Sequence, residues 1–437
     1  MQRYYLGVDW ADKSHQLYVA DESARKIKEL EVQQTPEEMA ELGCWLDESR
    51  SNGLELWAAI EKPHGRIVDF LLDHGVVVYP VNPKALDRAR DRFRMSQSKS
   101  DCFDAYVLAE FLRTDHAHLR ALEPNTAEAQ ELKILTRDHQ RLGRQKTRLL
   151  NQIGIKLKEY YPRPLEVFED LETKIALDFL KAYPTPQALW KLTRRGWKRF
   201  AKRDHHLSEA RSNELWDKLN KPQLAVPQHV VRAKAKLLLA LVGQLEASVK
   251  AVNSYNEEVE SFFAAMPAAE IAKTLPGAKS GTTVATIWAE LGDAQNRWNS
   301  FRHLQAEAGA VPVTKSSSKS RVVQFRFACN KHLRHALYWF SFNSLKRSEW
   351  AKKYYRDQRA KGHSKHQALR ALGAKWLKII FVMWRDHKLM MKTTTWRTSP
   401  DRKCARRHKK INEALDKPHR KSLFQRGVRV LERNFPL

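Results

Sequence analysis

The chain has 437 residues, with 78 Lys and Arg against 50 Asp and Glu, a net charge of +28 and an isoelectric point near 9.9. Such a length gives room for about two to four domains with their own cores, while the charge excess is foreign to an ordinary metabolic enzyme and points to a polyanion, nucleic acid first. No apolar run approaches a spanning helix and the first residues lack a secretory layout, so a cytoplasmic protein without a membrane partner is expected; the dispersed Cys44, Cys102, Cys329 and Cys404 form no C-x-x-C pair, which argues against structural zinc and disulfides.

The stretch from Tyr4 to Lys13 opens with an apolar strand that delivers Asp9 to its end, and His15 to Ala20 follows within hairpin distance. A third strand is expected over Ile27 to Val32. Pro36-Glu37-Glu38 starts a helix whose apolar face is read as Met39, Leu42, Cys44, Trp45 and Leu46, ending near the Ser49 to Gly53 turn. Leu54 to Ile60 makes a buried strand with Glu61 at its C-terminal end, followed by the breakers Lys62-Pro63-His64-Gly65. After a helix from Arg66 to His74, the run Val76 to Val81 suits a strand covered on both faces. Three strands in hairpin order followed by β-α-β units, with acids at the strand ends, form the layout of an RNase H-like α/β domain.

Asn82 to Lys99 reads as an arginine-rich linker, and Arg88, Arg90, Arg92 and Arg94 beside the acids would suit a phosphate backbone better than a solvated face. A helix then opens at Ser98 to Asp104 and runs to about Arg113, with Ser98 or Ser100 as its cap. Asp101 and Asp104, three apart, share one face of its first turn. With Asp9 and Glu61 they make a D-E-D-D set. Two Mg2+ ions roughly 4 Å apart need such shared carboxylate oxygens to stabilise the attacking and leaving oxygens of an in-line phosphoryl transfer.

From Pro124 to Tyr161 a long amphipathic helix is expected, with Lys133, Arg137, Arg141, Arg144, Lys146 and Arg148 on its exposed face. A second, Val230 to Phe263, offers a partner seam, with packing inside one chain weighed against dimerisation or RNA binding. Between them, residues 162 to 229 carry Trp190, Trp197 and Trp216 among cations, a pattern open to base stacking or to a small helical core. Leu275-Pro276-Gly277 to Ser280-Gly281 reads as a glycine turn before a helix. The polar run Lys315 to Arg321, with Ser316, Ser317 and Ser318, reads on composition as a loop, or as a nucleophile among phosphate-binding cations. The helix Asn330 to Ser344 follows, and the chain finishes in a basic run around Arg402 to Lys410.

Taken together, Leu6-Gly7-Val8-Asp9, Ile60-Glu61, Asn82-Pro83, Lys99 to Ala105, Leu275-Pro276-Gly277, Ala308-Gly309-Ala310-Val311-Pro312, the serine run and Asn330 to Leu337 resemble the DEDD transposases of bacterial insertion sequences. Those are relatives of the Piv and MooV invertases and are described as bridge-RNA-guided serine recombinases. The resemblance implies a RuvC-like first domain whose Asp9, Glu61, Asp101 and Asp104 bind Mg2+, and a second domain whose serine becomes linked to DNA. Counting from Gly309-Ala310-Val311-Pro312 puts that serine at Ser317, with Ser316 and Ser318 as neighbours in register. It further implies donor and target DNA, a guide RNA and a homo-oligomer, dimer or tetramer, associated with the nucleoid.

The division expected is 1–123 for the RuvC-like catalytic domain, 124–265 for a helical, coiled-coil-like region and 266–385 for a transposase domain carrying the serine. A basic tail, 386–437, follows. The rival readings are a metal-only RNase H-like nuclease or junction resolvase without a covalent intermediate, and a nucleic-acid-binding protein with vestigial acids.

Overall fold

The computed structural model describes residues 2–63, 65–93, 100–203, 207–276, 281–294, 297–317 and 320–390. The first part is a five-stranded sheet in the order β3-β2-β1-β4-β5. Its strands are β1 (Arg3–Trp10), β2 (Ser14–Asp21), β3 (Lys26–Gln33), β4 (Glu55–Ile60) and β5 (Val77–Pro80). β1 pairs antiparallel with β2, and β2 with β3, while β4 and β5 continue the sheet in parallel.

Strand alternation divides the sheet into two faces. Leu6, Val8, Leu17, Leu56, Ala58 and Ile60 point to helices α1 (Pro36–Ser51) and α2 (Arg66–Asp73), through Leu42, Leu46, Ile67 and Leu71. Tyr5, Ala59 and Tyr79 pack on the other face against α3 (Pro83–Phe93) and α4 (Asp101–Asp115), through Leu86, Val107, Leu108 and Leu112. Cys44, expected on the apolar face of α1, lies exposed; the face that buries Leu42 and Leu46 turns away from it at helical spacing. β5 is an edge strand, so Val77 is 37% exposed rather than covered on both faces. The supposed arginine linker is helix α3 up to Phe93, because Leu86 and Ala89 supply a buried stripe that holds it on the sheet; positions 94–99, with Ser98, Lys99 and Arg94, lie outside the described residues.

α5 (Ala127–Tyr160) is the long amphipathic helix expected. A set of shorter helices follows, α6 (Arg163–Val167), α7 (Lys174–Ala182), α8 (Pro186–Trp190), α9 (Arg194–Arg203) and α10 (Glu209–Leu219), before α11 (Gln228–Ala265). α11 runs back along α5 within the same chain. Lys234 near its start meets Glu159 near the end of α5, and Leu132 near the start of α5 shares a core with Val259 and Phe263. Trp197 is buried and donates to the Ser212 carbonyl at 2.9 Å, so it belongs to the core of this helical set rather than to a base-stacking surface. Trp190, by contrast, is 66% exposed.

α12 (Pro267–Lys273), α13 (Gly281–Leu291) and α14 (Phe301–Glu307) lead to a two-stranded antiparallel ribbon, β6 (Val313–Ser316) and β7 (Arg321–Gln324). α15 (Lys331–Ser344), α16 (Glu349–Ala360) and α17 (Lys365–Asp386) complete the fold. Among the described residues no helix is long and apolar enough to cross a membrane. Residues 277–280 of the glycine turn, Ser318, Cys404 and the basic tail from 391 onward lie outside the described residues.

Candidate active site

The acid pocket is built by register and by one glycine. Val8 of β1 pairs in parallel with Ile60 of β4, so Asp9 and Glu61 stand side by side at the next step. Gly7 and Asp9 share the face on which α4 lies. A Cβ at Gly7 would sit 1.8 Å from the Ala105 carbonyl oxygen and 2.6 Å from the Ala109 nitrogen. Helix backbone therefore rests directly on strand backbone, which only glycine permits, and the first turn of α4 is carried over the end of β1. Ser100 caps that turn, its hydroxyl accepting from the Phe103 N–H.

The electrostatics report the convergence. The Asp9 carboxyl is pushed up to about 6, by burial first and then by Asp104, Asp101 and Glu61, while Arg90 pulls the other way. Asp104 is engaged already: Arg90 of α3 donates to its two oxygens at 2.6 and 2.7 Å and to Asp87 at 2.5 Å. Arg90, read in sequence as a phosphate contact, is thus the counter-ion of an acid. Among the described residues no three His, Cys, Asp or Glu side chains stand close enough together to hold a metal ion as they are. The donor set itself, carboxylate oxygens crowded enough to raise Asp9, has the chemistry of a hard divalent cation. Lys62 lies 3.5 Å over the Trp10 ring and adds a cation at the rim.

Of the serine run, Ser316 ends β6 and Ser317 follows it, beside the start of β7. Ser316 pairs with Arg321, and the Ser317 N–H donates to the Ser320 carbonyl at 2.8 Å. The Ser317 and Ser320 hydroxyls are 2.9 Å apart and exposed. No residue from Val322 to Gln324 is buried. Ser318 lies outside the described residues.

Sequence reasoning missed a buried polar junction behind this ribbon. Glu290 of α13, fully buried, accepts from Arg137 Nε and Nη2 at 2.7 and 2.9 Å and from Asn330 Nδ2 at 2.7 Å. Burial pushes the Glu290 carboxyl up, but Arg137 and Asn330 outweigh it and hold it below the usual range. Lys133, assigned in sequence to the solvated face of α5 together with Arg137, is instead packed here and pushed down to about 8, by burial first and then by Arg297. These partners are 153 and 40 residues apart along the chain, and no local pattern announces them.

Comparison with known proteins bears directly on this arrangement. A family model of DEDD transposases of the IS110 type matches residues 6–162, and one described as transposase IS116/IS110/IS902 family matches residues 269–356. The chain is 32% identical over 372 residues to a Streptomyces coelicolor protein named for the mini-circle transposase of IS117, covering 82% of this chain and 88% of that one. The chain belongs to the IS110 family of DEDD transposases. Within that family it is also 39% identical, over 184 residues, to a protein named as transposase y4uE of Sinorhizobium fredii, 42% of this chain and 51% of that one. It is 27% identical over 323 residues to the 43.6 kDa protein of insertion element IS110 from Streptomyces coelicolor, 72% and 77% of the two chains. As an IS110-family transposase it is an enzyme of DNA transposition. The first family match spans the acid pocket and the whole of α5, and the second spans α13, the serine ribbon and α15.

Proposed function

We propose that this IS110-family transposase breaks and rejoins DNA strands with Ser317 as nucleophile and with Asp9, Glu61, Asp101 and Asp104 as the ligands of Mg2+. The observation that carries the reading is the raised Asp9 carboxyl, crowded by the other three acids at the end of β1. The sheet order, three antiparallel strands continued by two parallel ones, supports an RNase H-like, RuvC-like first domain.

The magnesium, when bound, would polarise the scissile phosphate and ease the charge that develops on it. Asp9, between two neighbouring strands, is the ligand best placed to be shared. Arg90, bidentate to Asp104, stands beside these acids and would hold Asp104 in place while offering its guanidinium to phosphate oxygens. Ser317 Oγ forms a bond to phosphorus as the bond from phosphorus to one DNA end breaks, and the departing oxygen takes up the hydroxyl proton. The hydroxyl of the exchanged strand then attacks the same phosphorus, and Ser317 leaves and recovers a proton. Bond energy is kept in the covalent link, so no nucleotide triphosphate is consumed.

Of the division into 1–123, 124–265, 266–385 and 386–437, separate cores support the first boundary: the clusters of the sheet include no residue beyond Leu122, and the next begin at Leu132 and Leu149. The boundary at 265 is crossed by one core, in which Leu132, Val259 and Phe263 pack with Trp288 and Leu337, so 124–265 and 266–385 are divided by sequence pattern rather than by packing. Acids and serine on separate cores suit a dimer or tetramer in which they meet between subunits. The basic excess suits donor and target DNA and a guide RNA, with association to the nucleoid.

The test is trapping. Wild-type protein with Mg2+ and its insertion-sequence DNA should yield a denaturation-resistant protein–DNA adduct, absent in Ser317→Ala and in Asp9→Asn. Cleavage that persists without an adduct in Ser317→Ala would replace this reading with a metal-only nuclease. A structured RNA that copurifies and is required for adduct formation would establish the guide.

A further inference from the structure

A cleft of about 290 Å³ opens at the foot of the serine ribbon, lined by Gly309 and Ala310, by Phe325, and by residues of α15 and α17. Three of its cations, Lys331, Arg334 and Arg370, face it, and none of its lining residues is a carboxylate. The Arg334 and Arg370 guanidinium carbons each lie 4.7 Å from the centre of the Phe325 ring. Arg370 is held below the usual arginine range by burial first and then by Arg334. Arg334 Nη2 donates to the Arg326 carbonyl, but its Nε is buried with no partner. Gly309 has φ +61°, and a Cβ there would lie 2.3 Å from Arg334 Nη2, so the backbone is flattened to seat the guanidinium. Across the cleft, Tyr338 and His366 stack at 5.6 Å and 28°.

Two adjacent guanidinium groups without a carboxylate repel each other, and one has a buried donor left over. A phosphate answers both at once, because its oxygens match the planar fork of arginine. Flat rings beside cations are the composition that holds unpaired bases. The volume lies at the lower edge of small-molecule sites, about 300 Å³, which is too small for a helix or a length of duplex. The ribbon ties the cleft to Ser317: Gln324, next to Phe325, pairs with Val313 at the foot, and Ser316 pairs with Arg321 near the tip. Four residues at ~3.3 Å each separate foot from tip by roughly 13 Å.

We propose that this cleft holds one unpaired nucleotide of the DNA strand presented to Ser317, its phosphate on Arg334, Arg370 and Lys331 and its base against Tyr338 and His366. The proposal rests on the reading of Ser317 as the residue that meets DNA. An enzyme that exchanges strands must separate them near the scissile bond, and such a cleft would capture the first base released.

The test uses full-length Ser317→Ala protein, which binds but forms no link, with two probes: a DNA duplex carrying a single unpaired adenine and the same duplex fully paired. The parent should prefer the unpaired probe. Lys331→Gln, at an exposed position, and Arg370→Gln should each weaken binding of that probe by about tenfold and lower its salt slope by about one. Tyr338→Ala should abolish the preference for the unpaired probe, with unaltered melting of each variant as the folding control. Equal binding of both probes by the parent, or preference undiminished in all three variants, would overturn the proposal. Failure of wild-type protein to form an adduct while the preference persists would count against Ser317 as nucleophile and leave the cleft's occupant supported.

Discussion

Gly7 shows how much of a site can rest on a missing atom. Its backbone carries the contact between β1 and α4, with Ala105 and Ala109 pressed against it. Gly7→Val should destabilise the first domain by about 1–3 kcal/mol, the usual cost of overpacking, and should displace Asp101 and Asp104 from Asp9; urea unfolding and Mg2+ binding would read the two effects. At Asp9 itself, Mg2+ at a hundredfold excess over Kd should stabilise the wild type by about 2.7 kcal/mol and Asp9→Asn far less, measured by thermal melting with and without chelator. The placement of the acids on the elements was legible because each stands at a strand end or a helix start, where residue type and position coincide. The ion pair of Arg90 with Asp104 was not legible, because that partner is chosen by the packing of α3 on the sheet, and nothing in the Arg88 to Arg94 pattern indicates which arginine turns inward.

Among the elements, α5 is the clearest lesson in what periodicity can and cannot show. Its length and apolar stripe follow from the leucine and isoleucine spacing, and its pairing with α11 follows from two stripes of matching length. The fate of its cations does not. Arg137 and Lys133 face α13 because Glu290 is buried there, and a distant partner leaves no trace in a local window. Glu290→Gln should destabilise the fold by about 1–3 kcal/mol, since it strips the half-exposed Arg137 and the Asn330 amide of a buried charged partner, and chemical denaturation would measure it.

Lys133 gives a pH signature at the same junction. Its folded value, about 8, lies below the ordinary 10.5, so between those values the unfolded chain binds a proton that the folded chain has shed, and stability rises with pH. Lys133→Met should therefore be more stable than wild type at pH 7, with the advantage shrinking from about pH 8 toward 10.5 in melting experiments.

For the whole molecule, the sheet's clusters and the helical clusters share no residue. Fragments cut near residue 123 should each fold, and the intact chain should unfold in more than one calorimetric step; a single two-state transition would count against the division. The net charge of +28 was legible as a nucleic-acid signal from composition alone, because long-range electrostatics depend on totals rather than on placement. Where the serine sits could not be read that way. It rides on a ribbon in which neither strand has a buried side chain, and two strands alone are barely stable in water. Rigidity at the proposed nucleophile would then be lent by the substrate itself: amide exchange along 313–317 and 320–324 should slow only once DNA is engaged, and a hydroxyl that becomes fixed only in that embrace is poorly armed against any stray phosphodiester that fails to hold it still.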